Sequence, residues 1–439
     1  MEKKLPLIEK RLITRWLLGL LLLMLPVSLS GMELFGWLVA FVGLGAMVKV
    51  RVRKTARFQL QVGPDWFLWG LLAVAIVGAI LSEASPEVQR LIVGDFRWVL
   101  LLYGYSYFLK WFALNREIDC LTPLLFKVLI PVAIIASLYG LFQVLTGVDP
   151  IRMGKEVHFL SSIEININRG YLYRATGFFN NPMTYSHSFV LWFCVFLAQL
   201  LIGKLSNNQK VLLTTALGVT GLALLLSLTR GVWISGTVGG FVMLWLWCRR
   251  RFWKILVAFM VAVVAVITTF TPLRKRLLSS FDTQFSSNKQ RMVLWRANWE
   301  ISKDHPIFGI GHMENYRRLD EYFIKLGIDP ETAFHSHAHN IYLEFLAGTG
   351  VLGLFCFLGI LVYFIVLAYK LWKKIPSEDP RDRALALGAL GALVSLAVGG
   401  LTENNFNDSE VAHSIIFIMA TIVALAYKHL GSTRLSVKP

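Results

Sequence analysis

Apolar runs long enough to cross a bilayer recur from one end of this 439-residue chain to the other. A hydrocarbon layer ~30 Å thick takes a helix of roughly 17–25 residues, and within it each backbone polar group must find its partner inside the protein. Twelve such runs are read, at 14–31, 33–50, 65–82, 91–112, 121–146, 184–203, 211–229, 231–248, 252–271, 341–369, 384–401 and 410–427. The expected fold is all-α: a polytopic membrane protein of about 12 transmembrane helices, one transmembrane domain over residues 1–439. With 56% of residues hydrophobic and 13% aromatic, much of the chain must have lipid as its solvent. No soluble domain, fixed-period repeat, low-complexity tract or nucleotide-binding glycine loop interrupts the pattern.

A net charge of +17 raises the question of a nucleic-acid partner, but the basic residues track the spans instead. Lys3, Lys4, Lys10, Arg11 and Arg15 precede the first span; Lys49, Arg51, Arg53, Lys54 and Arg57 follow the second. Arg249, Arg250, Arg251 and Lys254 follow the eighth, and Lys370, Lys373, Lys374, Arg381 and Arg383 the tenth. All fall in the N-terminal or even-numbered connections, so the positive-inside rule puts both termini in the cytoplasm, and no nucleic acid is needed to explain the charge. The basic N-terminus, leucine run and small residues Ser28 and Ser30 also fit a cleaved signal peptide; the second span follows so closely that a helical hairpin suits better. Cys120, Cys194, Cys248 and Cys356 sit in or beside spans, where they read as packing residues rather than disulfide partners.

Two connections are long, 147–183 and 272–340. Both are odd-numbered, so both belong on the outer side. The larger one, between spans 9 and 10, should carry a helix over 290–304, with Met292, Trp295 and Trp299 on one face and His305-Pro306 ending it. Such a helix either lies in the membrane interface, where tryptophan is favoured, or packs on the span ends with the tryptophans as core.

Ionisable residues are scarce inside the spans. Lys127 is near a cytoplasmic end, and Asp95 and Arg97 are near an outer end, which argues against an ion-coupled transporter. The outer face is richer. Topology alone brings together Arg174, in the segment Arg174-Ala175-Thr176-Gly177 before span 6, Arg230 in the tight turn before Gly231, Arg291 opening the amphipathic helix, and His339-Asn340 at the mouth of span 10. Guanidinium forks match phosphate oxygens and keep their charge, so several can hold a diphosphate and stabilise it as it departs. A histidine titrating near neutral pH can take the proton of an attacking hydroxyl. Taken singly, an arginine at a helix end is usually only solvated. His335, His337 and His339 alternate and would share a face of an extended segment, where they could bind zinc. They have no acidic or cysteine neighbour in sequence, and Asn340 reads as a helix cap fixing the adjacent imidazole. Glu403 lies in an amide-rich outer turn between spans 11 and 12; it either orients an arginine or a sugar or is merely solvated.

These residues resemble motifs of the O-antigen ligase and polymerase superfamily. His339-Asn340, nine residues, Gly350, two residues, Gly353 is similar to its histidine motif, and Asp304-His305-Pro306-Ile307-Phe308-Gly309-Ile310-Gly311 to the segment before it. Arg291 with Trp295, Ser227 with Arg230-Gly231, and the Arg174 segment follow the superfamily's order, over roughly 160–370. The resemblance implies an O-antigen ligase: an inverting glycosyltransferase needing neither metal nor cofactor, passing a glycan from undecaprenyl diphosphate to a hydroxyl of the lipid A core. It implies that this occurs on the periplasmic side of the bacterial inner membrane. Arg230 and Arg291 would bind the diphosphate and His339 would activate the acceptor. Arg174, His337, Asn340 and Glu403 would contact substrate. Superfamily polymerases use a lipid-linked glycan as acceptor, and sequence separates them from ligases poorly; the single long loop before His339 favours a ligase. A polyprenyl-linked sugar flippase or exporter is the reading from another class, and a scaffold gives no reason for the cationic cluster.

Overall fold

A computed structural model of the chain describes residues 7–53, 61–82, 85–114, 118–152, 157–160 and 172–431, and these are mainly helical. Lys3, Lys4, Lys54 and Arg57, and 153–156 and 161–171 of the 147–183 connection, lie outside the described residues. The one β feature among them is a pairing of Phe159–Leu160 with Leu172–Tyr173. Among the described residues, eight helices are long and apolar enough to cross a membrane by length and composition.

Prolines and glycines decide where the helices break. Helix α1 (Leu7–Met24) and α2 (Leu29–Arg53) are separated by a turn through Pro26. The first span, expected to run to residue 31, thus stops earlier, because the residue before proline is pushed out of the α region. After α3 (Asp65–Leu81) comes α4 (Pro86–Gly94), which Ser85 caps and which is short and two-faced. A single 3-10 turn at Asp95–Arg97 leads on to α5 (Trp98–Leu114), so the fourth expected span is interrupted near its start rather than one continuous α-helix. Helix α6 (Leu121–Leu124) passes into α7 (Ile130–Thr146) through a π-turn at Leu125–Leu129. Pro131 has no N–H to give the Lys127 carbonyl, which accounts for the widened turn.

In the second half, Asn181 caps α8 (Pro182–Ile202), and a Ser206/Gln209 capping box opens α9 (Asn207–Leu226). Then come α10 (Arg230–Cys248) and α11 (Phe252–Thr269), the more polar helices α12 (Thr271–Leu278), α13 (Ser286–Asp304) and α14 (Leu319–Lys325), and finally α15 (Ile341–Lys374), α16 (Pro380–Gly399) and α17 (Ser409–Leu430). The core is built on α16 and α17. The first packs between α8 and α10, and the second against α5 and α8. Small residues make that possible: a Cβ added at Gly388 would lie 2.7 Å from the Val195 Cα, backbone that cannot move aside. Gly388→Leu is therefore expected to destabilise the bundle by at least ~1–3 kcal/mol, seen as a lower melting temperature and folded yield in detergent.

The long connection 272–340 has a small core of its own, with Leu294, Ala297 and Ile301 of α13 against Leu319, Tyr322 and Phe323. Helix α13 starts four residues before the expected 290. Its packed face is this aliphatic one, while Met292 and Trp299 are 45% and 53% exposed. The helix packs on the protein as the second reading expects, but through aliphatic residues rather than tryptophans, and Met292 and Trp299 remain open.

The segment after α13 is sewn to α15. Ile310 N donates to Ala347 O (3.1 Å), Gly311 N to Gly348 O (2.9 Å) and Val351 N to Pro306 O (2.8 Å). These bonds meet α15 where it kinks at Gly350, whose φ is +65°. A Cβ at Gly350 would fall 2.2 Å from the Ile307 carbonyl carbon, and one at Gly309 2.3 Å from that of Gly348. The glycines of both motifs therefore form a backbone-to-backbone joint that fixes the start of α15.

Candidate active site

Asn340 opens α15. Its Oδ1 accepts from Tyr342 N (2.9 Å) and Leu343 N (3.0 Å), and its Nδ2 donates to Leu401 O (3.0 Å). The amide oxygen is thus taken up by the helix cap, while Nδ2 keeps a second N–H beyond the one given to Leu401. The residue before it, His339, has φ +46°, a left-handed conformation uncommon outside glycine and one that often marks functional positions.

His339 Nδ1 lies 2.7 Å from Glu403 Oε1. Burial alone would raise this carboxyl, but the hydrogen bond and charge of His339, with His337 and Arg291, bring it down to about 2. An ionised Glu403 accepts from the Nδ1–H tautomer of His339, and that tautomer leaves Nε2 as the ring's acceptor. His337 stacks beside it, ring centroids 4.2 Å apart. His337 Nδ1 accepts from the His339 backbone N–H (3.1 Å), and burial, against the pull of the Glu403 charge, holds its ring down to about 4, so it is neutral at physiological pH. His335 leaves the group: its ring lies against Asp320 and Phe323. His337, His339 and Glu403 do place three possible ligand atoms within 4.8 Å of one another. Glu403 supplies the carboxylate that the sequence did not put beside the histidines.

The second oxygen of Glu403 pairs with Arg291 Nη2 at 3.3 Å, which ties the dyad to a cluster of guanidiniums. Arg230 opens α10 and is held by Ser279 Oγ (3.2 Å), Ser287 Oγ (3.2 Å) and Asn288 Oδ1 (2.7 Å), with no carboxylate partner among the described residues. Its turn is strained, Leu228 having φ +57°. Two further arginines brace that turn from either side. Arg174 Nε donates to Ser227 O (2.7 Å) and its Nη2 to Thr229 Oγ1 (3.2 Å); Arg276 Nε donates to Leu228 O (3.1 Å). Arg230 and Arg276 share the Phe285 ring, 5.5 and 5.7 Å from its centroid.

Four guanidiniums face essentially one carboxylate. Burial and then the Arg291 charge pull Arg174 down to about 10, while burial and the charges of Arg230, Arg174 and Arg291 bring Arg276 to about 9. Arg174 and Arg276 stay protonated at neutral pH, so the cluster is a concentrated positive field around a single paired carboxylate among the described residues. Arg276 was not among the residues singled out from sequence, where it is one of three consecutive basic residues, 274–276. Only the helix started by Pro272 decides which of the three turns inward. It is 7% exposed, and its Nη1 has no hydrogen-bond partner.

Asp408, also not anticipated, completes the shell. Its Oδ2 accepts from Thr184 Oγ1 at 2.8 Å, and burial, with the charges of Glu403 and Glu410, pushes it up to about 7. A carboxyl raised above its unfolded value stabilises the fold fully below about pH 4, and that contribution is lost as pH rises through about 7. Asp408→Asn should remove it: between pH 4 and 8 the melting temperature of the wild type falls by several degrees more than that of the variant.

Fold and site together define an all-helical, multi-pass membrane protein with a cationic, histidine-bearing site where the helix ends meet their connections. Residues 213–358, a third of the chain, match the family model described as O-antigen ligase. The matched stretch runs from α9 into α15 and includes Arg230, Arg276, Arg291 and His339; Arg174 and Glu403 lie outside it. No curated protein matches the chain. The family implies glycosyltransferase activity in the broad sense, on lipid-linked glycan and lipid substrates.

Proposed function

We propose that the protein is an O-antigen ligase of the bacterial inner membrane, working on the periplasmic side with both termini in the cytoplasm. The supporting observation is the bridge made by Glu403, one oxygen on His339 and the other on Arg291, which joins a proton acceptor to an anion site. The donor, a glycan on undecaprenyl diphosphate, lays its diphosphate among Arg230, Arg276, Arg291 and Arg174. The acceptor, a sugar of the lipid A core, brings a hydroxyl to His339 Nε2. The hydroxyl oxygen attacks the anomeric carbon from the face opposite the diphosphate, the carbon–oxygen bond to phosphate breaks, and the proton passes to Nε2. Undecaprenyl diphosphate leaves, its charge held by guanidiniums fixed before the reaction starts. The product is inverted at the anomeric carbon.

Positive charge from arginines takes the part a divalent ion plays elsewhere. The same field opposes a cation at His337, His339 and Glu403, where one carboxylate already serves His339 and Arg291. Lipid-facing helices guide the polyprenyl tail. Twelve spans follow if the eight long helices are joined by the shorter Leu12–Met24, Asp65–Leu81 and Phe252–Ala265 and by α5. The outer connections are then 147–183 and 272–340.

A polymerase would use the same donor site with a lipid-linked glycan as acceptor. One gel separates them: deleting a ligase leaves long glycan chains on the polyprenol carrier and bare core, whereas deleting a polymerase leaves core capped by a single repeat. The first pattern is expected, and the second would assign polymerase activity instead. Accumulation of donor on the inner leaflet would point to a flippase.

A further inference from the structure

A cavity of about 330 Å³ opens among the ends of α2, α4, α5, α15 and α17, and nothing in the reaction described so far uses it. Its lining includes Glu33, Asp95, Trp98, His312, Phe406 and Asn407. Carboxylates, amides and imidazoles stand there beside aromatic faces, the mixture that hydrogen-bonds hydroxyls and stacks on the C–H face of a sugar ring. Charge separates it from the arginine cluster. Glu33 and Asp95 face Arg90 and Arg97, and Arg97 is already paired with Glu33 at 3.0 Å. A diphosphate gains little here and a polyol gains most.

One side chain is set for a ligand. His312, 7% exposed, sits between Phe96 and Phe345, with ring centroids 5.0 and 5.1 Å away, and its Nδ1 has no hydrogen-bond partner. Burial takes its ring down to about 4, so it meets a hydroxyl as a neutral imidazole. The joint between residues 306–311 and α15 holds it there: a Cβ on Gly348 would already lie 2.9 Å from the His312 Cα. A buried imidazole nitrogen left without a partner is costly unless a ligand or water completes it.

The cavity also adjoins the dyad. Asn404, next in sequence to Glu403, lines it, and the Asn404 backbone N–H donates to Glu403 Oε1 at 3.2 Å. Glu344, between the two, feels the charges of both His339 and Asp95. Two subsites thus flank Glu403, one wholly cationic and one of mixed charge with aromatic walls.

We propose that this cavity is an acceptor subsite, gripping one sugar ring of the lipid A core while a neighbouring ring presents the attacking hydroxyl to His339. The assignment rests on the ligase reading above and adds where the acceptor is held, beside Glu403 through Asn404. Asn407 is exposed on the wall, so it can be changed without opening the core.

The test uses the full chain in proteoliposomes, with undecaprenyl diphosphate-linked glycan as donor and lipid A core lacking the glycan as acceptor. Asn407→Ala should raise the acceptor KM about 10-fold, with the donor KM and the rate at saturating acceptor within about twofold of wild type. Asn407→Trp, which fills the opening, should lower transfer at least 100-fold while donor binding and the size-exclusion profile are unchanged. Acceptor KM values within twofold of wild type for both variants, alongside a dead His339→Ala control, would overturn the subsite alone. Full transfer by His339→Ala would overturn the ligase reading and the subsite together.

Discussion

His339→Ala is expected to reduce the rate of glycan transfer at saturating substrates by ~10²–10⁴-fold, while the protein reaches the membrane at the normal level and still binds donor. The size follows from what the ring does. A sugar hydroxyl is a weak nucleophile until its proton has somewhere to go, and His339 Nε2 is the lone pair left free once Nδ1 is tied to Glu403 at 2.7 Å. No neighbour can substitute. His337 Nδ1 already accepts from the His339 backbone, and its Nε2 is turned toward Glu403, 3.6 Å away. Glu403→Gln should behave as a milder version. The amide keeps the volume, but neither fixes the tautomer nor stabilises the imidazolium that forms, so the rate falls with the acceptor KM nearly unchanged. Single-turnover transfer in proteoliposomes reads both variants. Wild-type rates in either would remove the dyad from the mechanism.

Arg230→Ala carries the other large effect, a loss of ~10²–10³-fold in kcat/KM for the lipid-diphosphate donor. Arg230 is held by two hydroxyls and an amide rather than by a carboxylate, so its charge is free for an incoming anion. Arg230→Lys should recover only part of the activity, since an ammonium keeps the charge but not the planar fork. Arg276→Ala should fall between the two. Its Nε braces the Leu228 carbonyl, so the loss combines a weaker anion site with a relaxed turn, whereas Arg276→Lys restores charge without the brace. Donor binding measured separately from turnover tells these apart: loss of affinity marks direct contact, and loss of rate at full occupancy marks positioning.

The parts of this site legible in the sequence were those that topology alone could gather. Apolar run length marks the spans, and the basic clusters give each connection a side, which is enough to bring Arg174, Arg230, Arg291 and His339 to one face before any packing is known. The acid was harder. Glu403 lies 64 residues from His339, in a turn whose composition looks solvated; nothing local says that it is buried between a histidine and an arginine. Arg276 was hidden differently, among adjacent cations whose order on a short helix only the folded backbone resolves. His312 directly follows a motif, 304–311, whose glycines turned out to join two backbones, the same joint that sets the start of α15, and nothing in the sequence sets it apart. Helix ends were misjudged where proline acts, at Pro26, because hydropathy registers side chains and is silent about a missing N–H.

The most direct test of a cationic diphosphate site served by a histidine–glutamate dyad is the stoichiometry of the purified reaction in the presence of EDTA. Donor and lipid A core should yield one undecaprenyl diphosphate for each glycan joined to core, with no dependence on added divalent ion. Release of undecaprenyl monophosphate, or transfer that stops in EDTA and returns with a metal, would contradict the account.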